Sequence, residues 1–313
     1  MSEKTLECCV IGGAGFIGRH LTRLLVASGR RVRVLGRSAT PSRPLPPSVQ
    51  YQAGDYGDRE LLKQWLAGAD EVIDLAYGTV PQTSYIDPLF DIRSNLPPTV
   101  TLLQEAGAVG IRRLVIVSSG GTIYGQASAL PIREDHPTEP ISPYGITKLT
   151  QEKYAMMAGR CNGLPVVIAR PGNAYGDEQR AFSGQGFIAT AIQSAIKGAP
   201  LVMYGEPGTI RDYVHVTDVA TGIMAVLERG DACNAYNIGT GIGSSNRDVL
   251  DLIEPLAKAA GHAMEVQVQS PRRFDVAVNV LDSTRLHLAS GWRPKIALAE
   301  GIQKAWLAAL AQA

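Results

Sequence analysis

Residues 6–18 read Leu-Glu-Cys-Cys-Val-Ile-Gly-Gly-Ala-Gly-Phe-Ile-Gly. An apolar run of strand length stops in glycines, and a helical pattern through Leu21, Leu24, Leu25 and Val26 follows, closing at Gly29. Residues 31–35 then alternate basic and apolar side chains, as a second strand would. Strand, glycine turn, helix and strand make a βαβ unit, the seed of a parallel sheet. The glycines let backbone approach a pyrophosphate closely, and the helix N-terminus offers unpaired N–H groups at a positive dipole end. Gly12, Gly15, Phe16, Ile17 and Gly18 are therefore the candidate cradle for a dinucleotide.

Further along, the β-branched run at 115–117 breaks off in Ser118-Ser119-Gly120-Gly121. A buried parallel strand that stops at small residues leaves an open floor at its carboxyl end, where α/β sheets bind ligands. Tyr144 and Lys148 follow at i and i+4, so a helix starting near Ser142 puts both on one face. An ammonium beside a phenol favours the phenolate, whose ordinary pKa of about 10 leaves it idle at neutral pH. This pair is the candidate catalytic site.

The totals narrow the class. At 313 residues the chain exceeds one average domain, and its formal net charge of +1 argues against nucleic acid or acidic membrane as a partner. Cys8 and Cys9 are adjacent in a strand and point to opposite faces, and with Cys161 and Cys233 they show no metal-ligand spacing. None of the five histidines has metal or nucleophile spacing either, so no metal is implied. Ser118 and Ser119 are not in a GxSxG elbow, which excludes a hydrolase triad of that kind. The opening MSEKTLE lacks the apolar core of a signal peptide, and no apolar run approaches the roughly 20 residues of a membrane span. A cytoplasmic enzyme is the expectation.

The Gly12-x-x-Gly15-x-x-Gly18 spacing together with Tyr144-x-x-x-Lys148 resembles the extended short-chain dehydrogenase/reductase superfamily. Within it, the chain is most similar to the NAD-dependent epimerase/dehydratase family and its UDP-glucose 4-epimerases. Later segments match in the same order: Arg170-Pro171-Gly172-Asn173-Ala174-Tyr175-Gly176, then Arg211-Asp212-Tyr213-Val214-His215-Val216-Thr217-Asp218, then Tyr236-Asn237-Ile238-Gly239-Thr240-Gly241. Pro271-Arg272-Arg273-Phe274-Asp275 and a packing Gly291-Trp292 complete the series.

The resemblance implies an α/β fold, a Rossmann-type doubly wound parallel sheet with a smaller C-terminal α/β substrate domain. The first would span 1–172, with 213–238 returning to it, and 173–313 would mainly bind a nucleotide sugar. It also implies that Asp55 and Tyr56 lie at the adenine, and that Ala76, Tyr77, Asn95 and Ser118 border the cofactor. Asn173, Arg211 and Arg272 would hold the substrate, with Arg273 competing for the last role. NAD is the implied cofactor. Gly36-Arg37 stands where an acidic residue would mark NAD, so NADP stays open, as does a plain surface arginine.

The implied reaction is transient oxidation of a sugar hydroxyl to a 4-keto sugar, with hydride returned to the other face. SSGGTIYG resembles the SSxxTVYG of the 4-epimerases. A 4,6-dehydratase would need acid where Gly121 and Thr122 stand; an NADPH-dependent 4-keto-sugar reductase is the runner-up because of Arg37; a binding-only sensor would lack Tyr144 or Lys148. Gly120 occupies the place of the catalytic Ser/Thr, so Thr122 is the expected contact, Ser119 the alternate and water the third choice. Asn279 aligns with a gate residue, implying tolerance of N-acetylhexosamines. The resemblance also implies a homodimer built on the Tyr144 helix and the one at 88–109. Pro97-Pro98 should kink the latter at about 3 kcal/mol or more.

Overall fold

The computed structural model describes residues 5–182, 184–272 and 275–312. The first half runs β1 (Glu7–Ile11), α1 (Phe16–Ala27), β2 (Arg31–Gly36), β3 (Gln50–Ala53), α2 (Arg59–Leu66), β4 (Glu71–Asp74), α3 (Pro81–Ile86), α4 (Pro88–Val109), β5 (Arg113–Val117), α5 (Pro143–Asn162) and β6 (Val166–Pro171). There follow β7 (Asn173–Tyr175), α6 (Phe187–Lys197), β8 (Leu201–Tyr204), β9 (Ile210–His215), α7 (Val216–Arg229) and β10 (Ala235–Ile238). The chain ends with β11 (Gly243–Ser244), α8 (Asn246–Ala259), β12 (Val266–Gln269), β13 (Val278–Asn279), α9 (Thr284–Ser290) and α10 (Leu298–Leu310).

Seven strands form one sheet in the order β10-β6-β5-β4-β1-β2-β3, every pair parallel. Strand order reverses between β1 and β4, the place where ligands bind doubly wound sheets. The strands are apolar on both faces because helices cover both. Cys8, Val10, Val115 and Val117 join a cluster with Leu21 and Leu25 of α1 and Val219 and Ile223 of α7. Cys9, Ile11, Leu114 and Ile116 join the opposite cluster, with Leu102 and Leu103 of α4 and Ala155 and Ala158 of α5. Cys8 and Cys9 thus part to opposite faces, as their adjacency requires. Trp292 packs into the first cluster and its indole N–H donates to Thr221 Oγ1 at 3.1 Å.

The rest of the second half builds a smaller body around Ile188, Ile192, Tyr213, Val249, Ile253 and Trp306. It carries the sheet β11-β9-β13, with β7 also on β9, and the parallel pair β8-β12. The short strands β7, β8, β11, β12 and β13 carry too few residues for a period-2 signal, and sequence reading passed over them. Pro97 and Pro98 do not end the helix: α4 runs from Pro88 to Val109 through both. Elsewhere along it Asn95, Thr99 and Leu102 are fully buried, so tertiary packing holds the helix across the missing N–H groups.

At Gly18, α1 packs closely against the turn after β1. A Cβ at Gly18 would lie 2.4 Å from the Gly12 carbonyl oxygen and 2.7 Å from Gly13 backbone. Gly18→Ala should therefore lower stability by about 1–3 kcal/mol, read as a fall in the urea midpoint at unchanged slope.

Candidate active site

The carboxyl ends of β1, β4, β5 and β6 open on a cleft of about 1820 Å³, bordered by Gly12, Ala76, Ser118 and Pro171. That is roughly twice the upper range for one small-molecule site, enough for two ligands side by side. One arm is lined by Gly12, Gly15, Phe16, Ile17, Gly18, Arg37, Asp55 and Tyr56; the other by Asn173, Tyr204, Arg211 and Arg272. Ser118, Ser119, Thr122, Tyr144 and Lys148 line the cleft where the arms meet. Tyr77 of the first arm touches Tyr144, and Asn173 of the second stands 3.1 Å from where a Gly121 Cβ would be.

In the first arm, α1 starts at Gly15 with no side-chain cap and no acid in its first turn. Its leading N–H groups face the cleft, the arrangement that binds a phosphate. A dinucleotide therefore fits this cradle. Asp55 ties the turn below by accepting the Gly57 N–H at 2.9 Å, and Arg37 stands exposed on the rim just past β2. Asn95 is different. It is fully buried and does not border the cleft; its Oδ1 accepts the Gly78 N–H at 2.7 Å and its Nδ2 donates to the Asp91 carbonyl at 2.7 Å. It supports the cofactor arm from beneath, which corrects its assignment as a direct contact.

At the meeting point, Ser142 caps α5, accepting the Gly145 N–H at 3.2 Å, and Pro143 takes the first helical position. The helix thus starts where Tyr144 and Lys148 share the cleft-facing side. The Tyr144 N–H donates to Ser84 Oγ at 3.1 Å, and the Tyr77 ring packs edge-on against Tyr144 with centroids 4.7 Å apart. Lys148 Nζ donates to the Val117 carbonyl at 2.8 Å and lies 4.1 Å above the Tyr77 ring centre. Burial pushes the Tyr144 phenol well above its ordinary value and Asp91 adds to this, while a hydrogen bond with Ser119 works the other way. Burial brings Lys148 down to about 8, against the pull of Asp74, Glu152 and Asp91. Desolvation of the phenol is the largest effect on Tyr144.

The hydroxyl run resolves by geometry. A Cβ on Gly120 would point away from the cleft, 2.5 Å from Leu281 Cδ1 and 2.9 Å from the Arg170 carbonyl oxygen. Ser119 lines the cleft beside Tyr144 and eases ionisation of its phenol. The Oγ atoms of Ser118 and Thr122 are buried and lack a hydrogen-bond partner among the described residues.

In the second arm, Arg272 stacks on Tyr204 at 4.3 Å and donates to Asp275 Oδ2 at 2.8 Å. Burial lowers the Arg211 pKa and Arg272 adds to it; two guanidinium groups converging on one arm favour an anion there. Arg273 and Phe274 lie outside the described residues. Asn279 is 1% exposed, does not border the cleft and donates to the Gly120 carbonyl at 2.9 Å. It stands behind the 118–121 turn and not at a gate, so the expectation about N-acetylhexosamines loses its basis.

Sequence reading missed Ser84, Asp74 and Asp91. Asp91 is fully buried, hydrogen-bonded with Thr79 Oγ1 and Asn95. The one available signal was an aspartate directly after Val72-Ile73.

A UDP-glucose 4-epimerase from Mycolicibacterium smegmatis is 33% identical over 96% of this chain and 97% of its own. The solved UDP-glucose 4-epimerase of Thermotoga maritima with UDP-glucose superposes with a TM-score of 0.92 at 29% identity, covering 98% of this chain and 99% of that one. That of Thermus thermophilus with NAD gives 0.88 at 35%, covering 97% and 98%. Whole-chain likeness does not separate the chemistries, since a dTDP-glucose 4,6-dehydratase from Streptomyces griseus and a GDP-6-deoxy-D-mannose reductase from Pseudomonas aeruginosa align at 30% and 31%. Residues 8–239 match the model of the NAD dependent epimerase/dehydratase family, and to that family the chain belongs.

Proposed function

We propose that this chain is a nucleotide-sugar 4-epimerase that works through a transient 4-keto sugar. The observation that carries the reading is that Tyr144, Lys148 and Ser119 line one cleft with the glycine cradle and with Arg211 and Arg272, with no uncommitted acid along it among the described residues. Of the acids bordering it, Asp55 holds the Gly57 N–H, Glu178 pairs with Arg19 at 2.9 Å and Asp275 with Arg272. Elimination of water, as in a dehydratase, needs such an acid. NAD, when bound, accepts and returns the hydride. Tyr144 takes the proton from the sugar C4 hydroxyl and later gives it back, with Ser119 steering the oxygen and Lys148 supplying positive charge. Arg211, Arg272 and Asn173 hold the diphosphate end, so binding energy resides there and leaves the sugar loose enough to present either face.

The relatives' names favour a UDP-hexose as substrate, with UDP-N-acetylhexosamines to be tested beside it. A second reading, an NADPH-dependent 4-keto-sugar reductase, rests on Arg37 at the rim. We place the enzyme in the cytoplasm as a homodimer: α4 and α5 leave Leu89, Ile92, Ile146, Tyr154 and Met157 exposed, a surface that a second copy would cover.

Purified protein with UDP-glucose should form UDP-galactose by NMR with no net change in cofactor absorbance. Tyr144→Phe should cut kcat by about 10²–10⁴-fold with cofactor retained. Net NADPH consumption by a 4-keto sugar, with no epimerisation, overturns this in favour of the reductase. Ser119→Ala should lower kcat more than Thr122→Ala does, whereas Gly120→Ser should lower stability by about 1–3 kcal/mol without raising kcat. Light scattering should return twice the chain mass, and Ile146→Glu should reduce it to the monomer value.

A further inference from the structure

Asp74 ends β4 after Val72 and Ile73, is 3% exposed and stands opposite Ile116 in the register of β4 with β5. By the alternation of the strand it projects to the side of Val72, Leu114 and Ile116, the face that α5 covers. One residue beyond Ile116, the Val117 carbonyl receives the Lys148 ammonium. Asp74 Oδ1 accepts the Ala76 N–H at 3.0 Å, which fixes the carboxylate at the strand end, and the Tyr77 ring lies against the ammonium. We propose that Asp74 is a positioning residue that holds Lys148 as an ammonium ion beside Tyr144. The role rests on the reading of Tyr144 and Lys148 as the catalytic pair.

Other charged and titratable groups also surround Lys148. Glu152 of α5 is matched by Arg170 of β6, at 2.6 Å. The Asp91 carboxylate of α4 accepts from Thr79 and Asn95 on Oδ1, while its buried Oδ2 has no hydrogen-bond partner among the described residues, and it too pulls on Lys148. Tyr77 and Tyr144 are both pushed up by burial, as is Tyr56, which faces Asp74. Burial moves Asp74 up to about 6 against the pull of Lys148, and Lys148 down to about 8 against the pull of Asp74. Between those values both are charged and each sustains the other. Without the carboxylate, desolvation of Lys148 goes unopposed by Asp74 and the ammonium is lost at lower pH.

The test is the pH profile of kcat for Asp74→Asn with its cofactor bound. Its alkaline limb should fall about one pH unit or more below that of the wild type, and Asp74→Glu should restore it. An Asp74→Asn limb that superimposes on the wild type overturns the proposal. In the wild type, ¹⁵N-lysine NMR, assigned through Lys148→Arg, should show the Lys148 Nζ resonance moving as Asp74 titrates near pH 6. A resonance flat from about pH 5 to about pH 7 overturns the proposal too, even where Asp74→Asn fails to fold. That readout needs no turnover, so it stands apart from failure of the epimerase reading, which would appear as wild-type inactivity on every nucleotide sugar.

Discussion

The closest contact between α1 and the turn after β1 governs what the remainder of the molecule can do. Gly18 sits where a side chain would collide with the Gly12 carbonyl, so the helix axis aims at the strand end with nothing between. That approach fixes the first N–H groups of α1 at the lip of the cleft, and the parallel order of the sheet sets every other functional residue relative to them. Gly12, Ala76 and Ser118 then follow the ends of three neighbouring strands, and one ligand crossing the strand ends meets all of them.

A second constraint is electrostatic. Lys148, Asp74, Asp91, Glu152 and Arg170 are all buried, and a charge taken out of water is costly unless matched. The match is made in pieces: guanidinium to carboxylate for Arg170 and Glu152, hydrogen bonds for Asp91, backbone groups for Lys148 and Asp74. The arrangement keeps a charged lysine inside the protein, which suits a group whose task is to shape the field around a tyrosine and not to bind water.

Much of the sheet was legible because its signals are local. The turn at 12–18, the break at 118–121 and the i, i+4 spacing of Tyr144 and Lys148 each come from a few adjacent residues. The parts that escaped are set by tertiary contact. Nothing near Asn95 or Asn279 in sequence tells that their amides are spent on the Gly78 N–H and the Gly120 carbonyl. Nor could residue types alone choose between Ser119 and Thr122, since the choice depends on which way the turn after β5 faces.

The place of β10 has a consequence for biosynthesis. It completes the sheet beside β6, yet the chain between these strands first leaves to build β7, α6, β8 and β9. As the nascent chain emerges, β6 is a bare, fully buried-to-be edge until residue 238 has been made, and bare edges pair with whatever strand is at hand. The two halves are thus sewn together, and a fragment stopping at 172 would carry the cofactor cradle with a sticky seam. Once residue 238 has been made all seven strands of the large sheet are present, while Val249, Ile253, Ile302 and Trp306 of the smaller body's core are still to come, so order of synthesis closes the seam before the smaller body is filled.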